Sequence, residues 1–165
     1  MQWRWARAHD TIDITGEGGA LATRKGGGGY WLPAVCGEVL QADGEAYAEF
    51  TPVSGSGVMV GVARAGVDPS SVGNGLYSTA DGWMYVCGDG NHRHNGSYPP
   101  WASGERQRIK KGGTVGLLLR RGSLSVHIGG RQVGVVCTGL SGALVWAADL
   151  YSSASVRIAR KPPPT

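Results

Sequence analysis

The histidines are the side chains in this chain that are best suited to bind a metal or to transfer protons. His92 and His94 are separated by one residue, so both would project from the same face of a strand, with Cys87 and Asp89 close in sequence. A metal site needs a third ligand in a defined position, which this spacing does not supply. The pair is therefore more typical of a structural role than of a metal site.

The remaining histidine and cysteine positions point away from catalysis. His127 falls on the polar side of an alternating segment, which predicts an exposed side chain. Cys36, Cys87 and Cys137 are widely spaced, odd in number and set in apolar surroundings. This pattern favours buried free thiols over a disulfide, and with them an intracellular protein, cytoplasmic or nuclear.

Basic residues flank one predicted strand. Arg106, Arg108 and Lys110 alternate in an extended segment before the strand, and Arg120 and Arg121 end it. The chain has 16 basic and 12 acidic residues, a net charge of only +4, and this stretch lacks interleaved aromatic residues. A solvated charged edge is the commoner use of such residues, and nucleic-acid binding is the weaker alternative.

Composition and periodicity predict an all-β fold. The 29 glycines among 165 residues exclude a helical bundle, while six Trp and six Tyr provide apolar surface for a core. Short apolar runs separated by turn residues favour an antiparallel sandwich. We predict strands at 11–15, 45–53, 58–64, 82–87, 114–119, 123–128, 131–137, 143–151 and 155–159.

The strongest local prediction is a hairpin between 123–128 and 131–136. Gly129 and Gly130 separate these runs, and a tight hairpin turn needs positive φ at both central positions. No apolar run is long enough to span a membrane. The expected organisation is a short irregular N-terminal extension (1–9), one domain (10–159) and a Pro-rich tail (160–165).

Several short motifs occur in a characteristic order between residues 10 and 159. They read Asp-Gly-Trp-Met-Tyr-Val from Asp81, His-Asn-Gly from His94, Gly-Thr-Val-Gly-Leu-Leu-Leu from Gly113, Gly-Ser-Leu-Ser-Val from Gly122 and Gly-Gly-Arg-Gln-Val-Gly-Val from Gly129. Their order and spacing resemble the SPRY domain, in the plain form that lacks the Leu-Asp-Pro segment of the longer B30.2 domain. The resemblance implies a bent antiparallel β-sandwich that acts as a non-catalytic, cofactor-free interaction module.

The resemblance also implies where a partner binds. SPRY domains present loops at one end of the sandwich to a peptide or partner protein, and the matching loops here are 24–30, 64–72 and the Tyr151–Ser152 turn. We expect a monomeric domain that serves as adaptor or subunit of a larger assembly. The candidate partner-binding residues are Arg24, Tyr30, Arg64, Val67, Asp68, Val72, Trp101, Tyr151 and Ser152.

Five of the candidates have an expected role in binding. Arg64, Asp68 and Tyr151 would provide charge pairing and an aromatic anchor, and Val67 and Val72 would line the floor. Tyr151 has an alternative role, which is to pack the end of the sandwich. Two other function classes stay open: a nucleic-acid-associated domain that uses the basic residues, and a lectin-like carbohydrate binder suggested only by sandwich architecture.

Overall fold

The computed structural model describes residues 2–26 and 28–164, so Gly27 of the 24–30 loop, Met1 and Thr165 lie outside the described residues. Within these ranges the chain forms fifteen strands: β1 (Trp5–Ala8), β2 (Ile12–Thr15), β3 (Leu21–Arg24), β4 (Trp31–Cys36), β5 (Leu40–Gln41), β6 (Glu45–Ser54), β7 (Val58–Arg64), β8 (Gly82–Val86), β9 (His92–His94), β10 (Ser103–Gly104), β11 (Val115–Arg120), β12 (Ser123–Ile128), β13 (Arg131–Cys137), β14 (Ala143–Tyr151) and β15 (Ser155–Ala159).

The strands form two antiparallel sheets that enclose the main core. The first sheet has the order β1-β4-β14-β7-β8-β9, with β5 added beside β14. The second has the order β10-β13-β12-β11-β6-β15-β3-β2. Both sheets direct alternate apolar side chains into the space between them, so the predicted antiparallel sandwich is confirmed.

Short 3₁₀ turns are the helical elements of the described residues, at Glu17–Gly19, Pro69–Ser71 and Leu76–Ser78. None of the helical segments that the structure describes has the length and apolar character to cross a bilayer.

The predicted hairpin is confirmed in detail. β12 and β13 pair antiparallel from Ile128 opposite Arg131 to Leu124 opposite Cys137. Gly129 and Gly130 connect them with φ values of 63° and 77°, the left-handed conformation that this turn requires.

The N-terminal residues differ from the predicted irregular segment. Trp5–Ala8 forms β1, which pairs with β4 at the edge of the first sheet. Trp3 and Trp5 are two residues apart in an extended chain, so their indoles point to the same side. Both are buried in the core. Burial of two indoles therefore ties the N-terminus to the sandwich.

A second, smaller apolar cluster lies on the outer face of the first sheet. Residues 65–81, which we call the covering segment, cross this face between β7 and β8 and contribute Leu76 and Tyr77 to the cluster. Met59, Met84 and Val145 provide the floor from three neighbouring strands. The first sheet is therefore buried on both faces where the segment covers it.

The three cysteines are free thiols, with Cys36 and Cys87 buried and Cys137 half-buried. Burial raises the pKa of Cys36 well above its usual range and the pKa values of Cys87 and Cys137 to about 12. Because the thiolate is the reactive form, we expect slow modification of the folded protein.

A thiol titration with and without guanidinium tests this expectation. In denaturant without reductant, all three cysteines should react rapidly with a chromogenic disulfide reagent. Fewer than three reactive thiols in denaturant, or equal rates in both conditions, would contradict the buried free thiols.

Candidate functional site

The structure does not bring the His92–His94 pair into a metal site. His92 is buried on the inner side of β9, and neither ring nitrogen has a hydrogen-bond partner among the described residues. Burial therefore lowers the pKa of His92 to about 4. His94 stacks on Trp83 with ring centroids 4.7 Å apart, and its Nδ1 lies 2.7 Å from the carbonyl oxygen of Gly82. Within the described ranges, no three His, Cys, Asp or Glu side chains converge on a possible metal position.

His127 was predicted to be exposed, and this prediction is wrong. Its ring is buried against Tyr47 in an edge-to-face contact, with the centroids 6.0 Å apart. Its Nε2 lies 3.2 Å from the Ser125 hydroxyl. The alternating polar face of β12 is covered because Tyr47 from the same sheet lies across it. Burial lowers the pKa of His127.

The predicted end-loop residues divide between two ends of the first sheet. β7 and β14 are antiparallel, with Leu144 opposite Arg64 and Leu150 opposite Val58. Tyr151 lies seven residues beyond Leu144, the partner of Arg64, so Arg64 and Tyr151 are separated by roughly 23 Å along the strands. Arg64 and Tyr151 therefore lie at opposite ends of the sheet, and we call Arg64 with its sequence neighbours Val67, Asp68 and Val72 the Arg64 group.

Arg64 and Trp101 are both held by contacts within the domain. The Arg64 guanidinium lies 4.9 Å from the centre of the Trp83 ring and donates a hydrogen bond to the Ser141 carbonyl. Trp101 is half-buried and donates its indole N–H to the Gly90 carbonyl at 3.0 Å. Arg64 is thereby held between β8 and the loop before β14, and Trp101 is held against the loop between β8 and β9.

The remaining residues of the Arg64 group hold the covering segment in place. Asp68 accepts a hydrogen bond from the Ser70 N–H at 3.0 Å and so caps the 3₁₀ turn. The Val67 carbonyl accepts from the Arg7 guanidinium at 2.7 Å. Val72 is buried in the outer cluster. The valines thus line a packed interface beneath the segment.

Arg24 holds the 24–30 loop in place through its buried side chain. Its side chain is buried and donates hydrogen bonds to the carbonyls of Tyr30 and Leu150, the latter at 3.1 Å. The loop is therefore tied to β14 through a charged, multivalent donor. The ring of Tyr30, by contrast, is 60% exposed.

An aromatic surface occupies the Tyr151 end of the first sheet. Trp31 and Tyr151 are cross-strand neighbours with ring centroids 5.3 Å apart, and Trp31 meets Tyr77 edge-to-face at 6.3 Å. Tyr151 keeps 37% of its surface exposed, so it both packs the end of the sandwich and presents a face to solvent. We define the aromatic surface as Tyr30, Trp31, Tyr77 and Tyr151.

Two further features shape this end. Ser152 follows Tyr151 with a positive φ of 58°, which turns the chain sharply into β15. Arg93 lies between two tyrosine rings, 4.0 Å from the centroid of Tyr77 and 4.2 Å from that of Tyr98. The cation thus links the aromatic surface to the exposed Tyr98.

Asp149 anchors the covering segment beneath the aromatic surface. Its buried carboxylate accepts hydrogen bonds from the backbone N–H groups of Leu76 at 2.8 Å and Tyr77 at 3.0 Å. Burial raises the pKa of Asp149 to about 6, while these two donors and the Arg93 charge act in the opposite direction. Sequence reasoning missed this residue, although a lone acid in the apolar run 143–151 was a visible signal.

Two of the basic residues that flank the predicted strand form contacts within the domain. Arg106 donates to the Asp89 carbonyl at 3.2 Å and to Asn91 at 3.0 Å. Arg120 forms an ion pair with Glu45 at 2.8 Å. Both cations are thus engaged within the domain.

Comparison with known proteins supports the fold. No protein-family model and no curated protein sequence matches the chain. The SPRY domain of human HERC1 superposes with a TM-score of 0.75 and 19% identity over 96% of this chain and 97% of that one. The TRIM65 PSpry domain gives 0.69 and 15% over 98% and 93%, and stonustoxin 0.67 and 16% over 96% and 27%. At these identities the likeness establishes architecture, and the chain therefore has the fold of a SPRY domain, as its motifs predict.

Proposed function

We propose that this protein is a non-catalytic interaction module that binds a peptide or partner protein through the aromatic surface. The observation that carries the proposal is that Tyr151 packs on Trp31 and is still exposed to solvent, at the end of a sheet buried on both faces, while the exposed Tyr30 directly precedes Trp31. Tyrosine combines a large apolar face with a polar tip, and such residues dominate binding energy at interfaces.

The surroundings of this surface support a preorganised site. Arg24 fixes the loop that carries Tyr30, and Asp149 fixes the segment that carries Tyr77. A surface held in its bound shape loses little conformational entropy when a partner docks. Loops and rings on a rigid scaffold are a common location for binding residues.

The distribution of titratable groups favours binding over catalysis. Burial lowers the pKa values of His92 and His127, and it disfavours the reactive thiolate of the cysteines. A catalytic site needs an acid, base or nucleophile that a substrate can reach. We propose further that the domain acts as a monomeric adaptor unit inside the cell.

Substituting Tyr151 with alanine tests the aromatic surface. Twelve-residue binders would be selected from a random peptide library on the wild-type protein, and their affinities measured by fluorescence polarisation. Tyr151→Ala should weaken these binders about thirtyfold, since loss of a central anchor costs about 2 kcal/mol. Val39→Ala is the matched control, because Val39 is an exposed apolar residue after the opposite end of β4.

Two results would contradict the proposal. One is a larger loss of peptide affinity for Lys110→Ala than for Tyr151→Ala, which would place the site on the basic segment. The other is specific binding of single-stranded RNA or of glycans in place of any peptide, with a steep salt dependence marking the RNA case.

A further inference from the structure

A second binding site of different chemistry lies away from the aromatic surface. A groove of about 610 Å³ runs between the end of β6 (residues 52–56), the residues after β8 (87–88) and the loop 108–112. One wall carries cationic side chains and the other is the edge of a strand, and these two features together indicate the kind of ligand. We call it the cationic groove.

One wall presents three cations to solvent. Ile109 is buried and its N–H donates to the Cys87 carbonyl at 3.3 Å, so the loop is anchored at its centre. Successive side chains of an extended segment point to opposite sides, so the exposed Arg108 and Lys110 point away from the buried Ile109. Lys111, the next residue, is also exposed. The ion pairs found among the described residues involve none of these three cations.

The other wall is an unpaired strand edge. β11 pairs with β6 only as far as Val115 opposite Phe50, whereas β15 continues along the other side to Ser54. The register with β15 shifts between Pro52 and Ser54, which leaves Val53 as the bulged residue, with 49% of its surface exposed. Backbone groups and one apolar side chain therefore border the groove.

We propose that the cationic groove binds an extended acidic peptide segment of a partner protein. Residues 52–54 offer a short edge along which an extended chain can lie, as in strand addition to a sheet, with Pro52 able to contribute only its carbonyl because it has no N–H. Carboxylates on that chain face Arg108, Lys110 and Lys111, and an aliphatic side chain packs on Val53. No acidic residue lines the groove within the described part of the chain, so its charged side chains are all positive and attract carboxylates.

The groove chemistry favours a peptide over a nucleic acid. Single-stranded nucleic acids bind where aromatic rings stack on successive bases along a positive channel. Among the residues that the structure describes, no aromatic side chain lines this groove.

Fluorescence polarisation with three labelled probes tests the proposal. The probes are a ten-residue peptide of alternating glutamate and leucine, the same peptide with lysine for glutamate, and a ten-nucleotide oligothymidine. The full chain should bind the acidic peptide best of the three. The Lys110→Glu/Lys111→Glu variant should bind it about tenfold more weakly, since each exposed charge pair contributes a modest share.

A matched variant shows whether binding depends on the groove itself or only on the net charge of the protein. Arg131→Glu/Lys161→Glu changes the net charge by the same amount at exposed positions outside the groove, and should leave the affinity unchanged. Val53→Ser should weaken the glutamate–leucine peptide and preserve the melting temperature, because Val53 is half-exposed. Equal losses in both charge-reversal variants, tighter binding of the oligothymidine, or no binding of the acidic peptide would each overturn the proposal.

Discussion

Replacing Gly61 with alanine is expected to lower the free energy of unfolding by about 4 kcal/mol or more, an exceptional loss for a single methyl group. Gly61 lies in β7, between β14 and β8 in the first sheet. A Cβ at this position would lie 2.9 Å from the carbonyl carbon of Trp83 and would overlap its oxygen. These atoms belong to the backbone of β8, which is paired with β7, so the clash cannot be relieved by a change of rotamer.

Urea denaturation monitored by tryptophan fluorescence measures this loss. Gly66→Ala is the matched control, because a Cβ on Gly66 would meet no heavy atom within 4 Å. Its free energy of unfolding should stay within about 0.5 kcal/mol of wild type. If the Gly61→Ala and Gly66→Ala variants unfold at the same urea concentration, β7 and β8 are not held at the spacing seen here.

The strands that sequence predicted are those with clear alternation or a clear turn. The hairpin across Gly129 and Gly130 is the best example, because both strands and the turn lie within the consecutive residues 123–137. β4 was missed because Pro33 interrupts an apolar run. Pro33 is tolerated there because β1 pairs with β4 only as far as Ala34, so the proline lies where that pairing ends.

The candidate site was harder to predict because it depends on register. Sequence places Arg64 and Tyr151 each at a strand end, which is correct. Only the antiparallel pairing of β7 with β14 shows that these two ends are opposite ones. The contact of Trp31 with Tyr77 joins β4 to the covering segment across more than forty residues, and no local pattern encodes it.

The Asp149→Ala variant should lose about 3 kcal/mol of stability, because the N–H groups of Leu76 and Tyr77 would remain buried without an acceptor. The covering segment would loosen, so hydrogen exchange of its amides should accelerate more than that of the β12–β13 hairpin. Asp149→Asn retains one carbonyl acceptor and should lose less. Unchanged exchange in the covering segment of Asp149→Ala would contradict this anchoring role.

Asp149 also makes stability depend on pH, in a direction opposite to that of a carboxylate whose pKa an ion pair lowers in the folded state. Its pKa is about 6 in the folded protein and 3.8 without burial, so between these values the folded chain keeps a proton that the unfolded chain has lost. The resulting stabilisation is fully present below pH 3.8 and is lost as the pH rises through about 6; it amounts to about 3 kcal/mol. His92 acts the other way, because its pKa is lowered from 6.5 to about 4 and its contribution is lost as the pH falls.

Comparing wild type with Asp149→Asn isolates the carboxylate, since His92 is common to both proteins. From pH 7 to pH 3 the free energy of unfolding of wild type should rise by about 3 kcal/mol relative to the variant. Because the Asn side chain does not titrate, the gap should change mainly around pH 6 to 4. Curves that stay parallel over this interval would show that the buried carboxylate has the same pKa folded and unfolded, and that the hydrogen bonds from Leu76 and Tyr77, with the Arg93 charge, fully offset its burial.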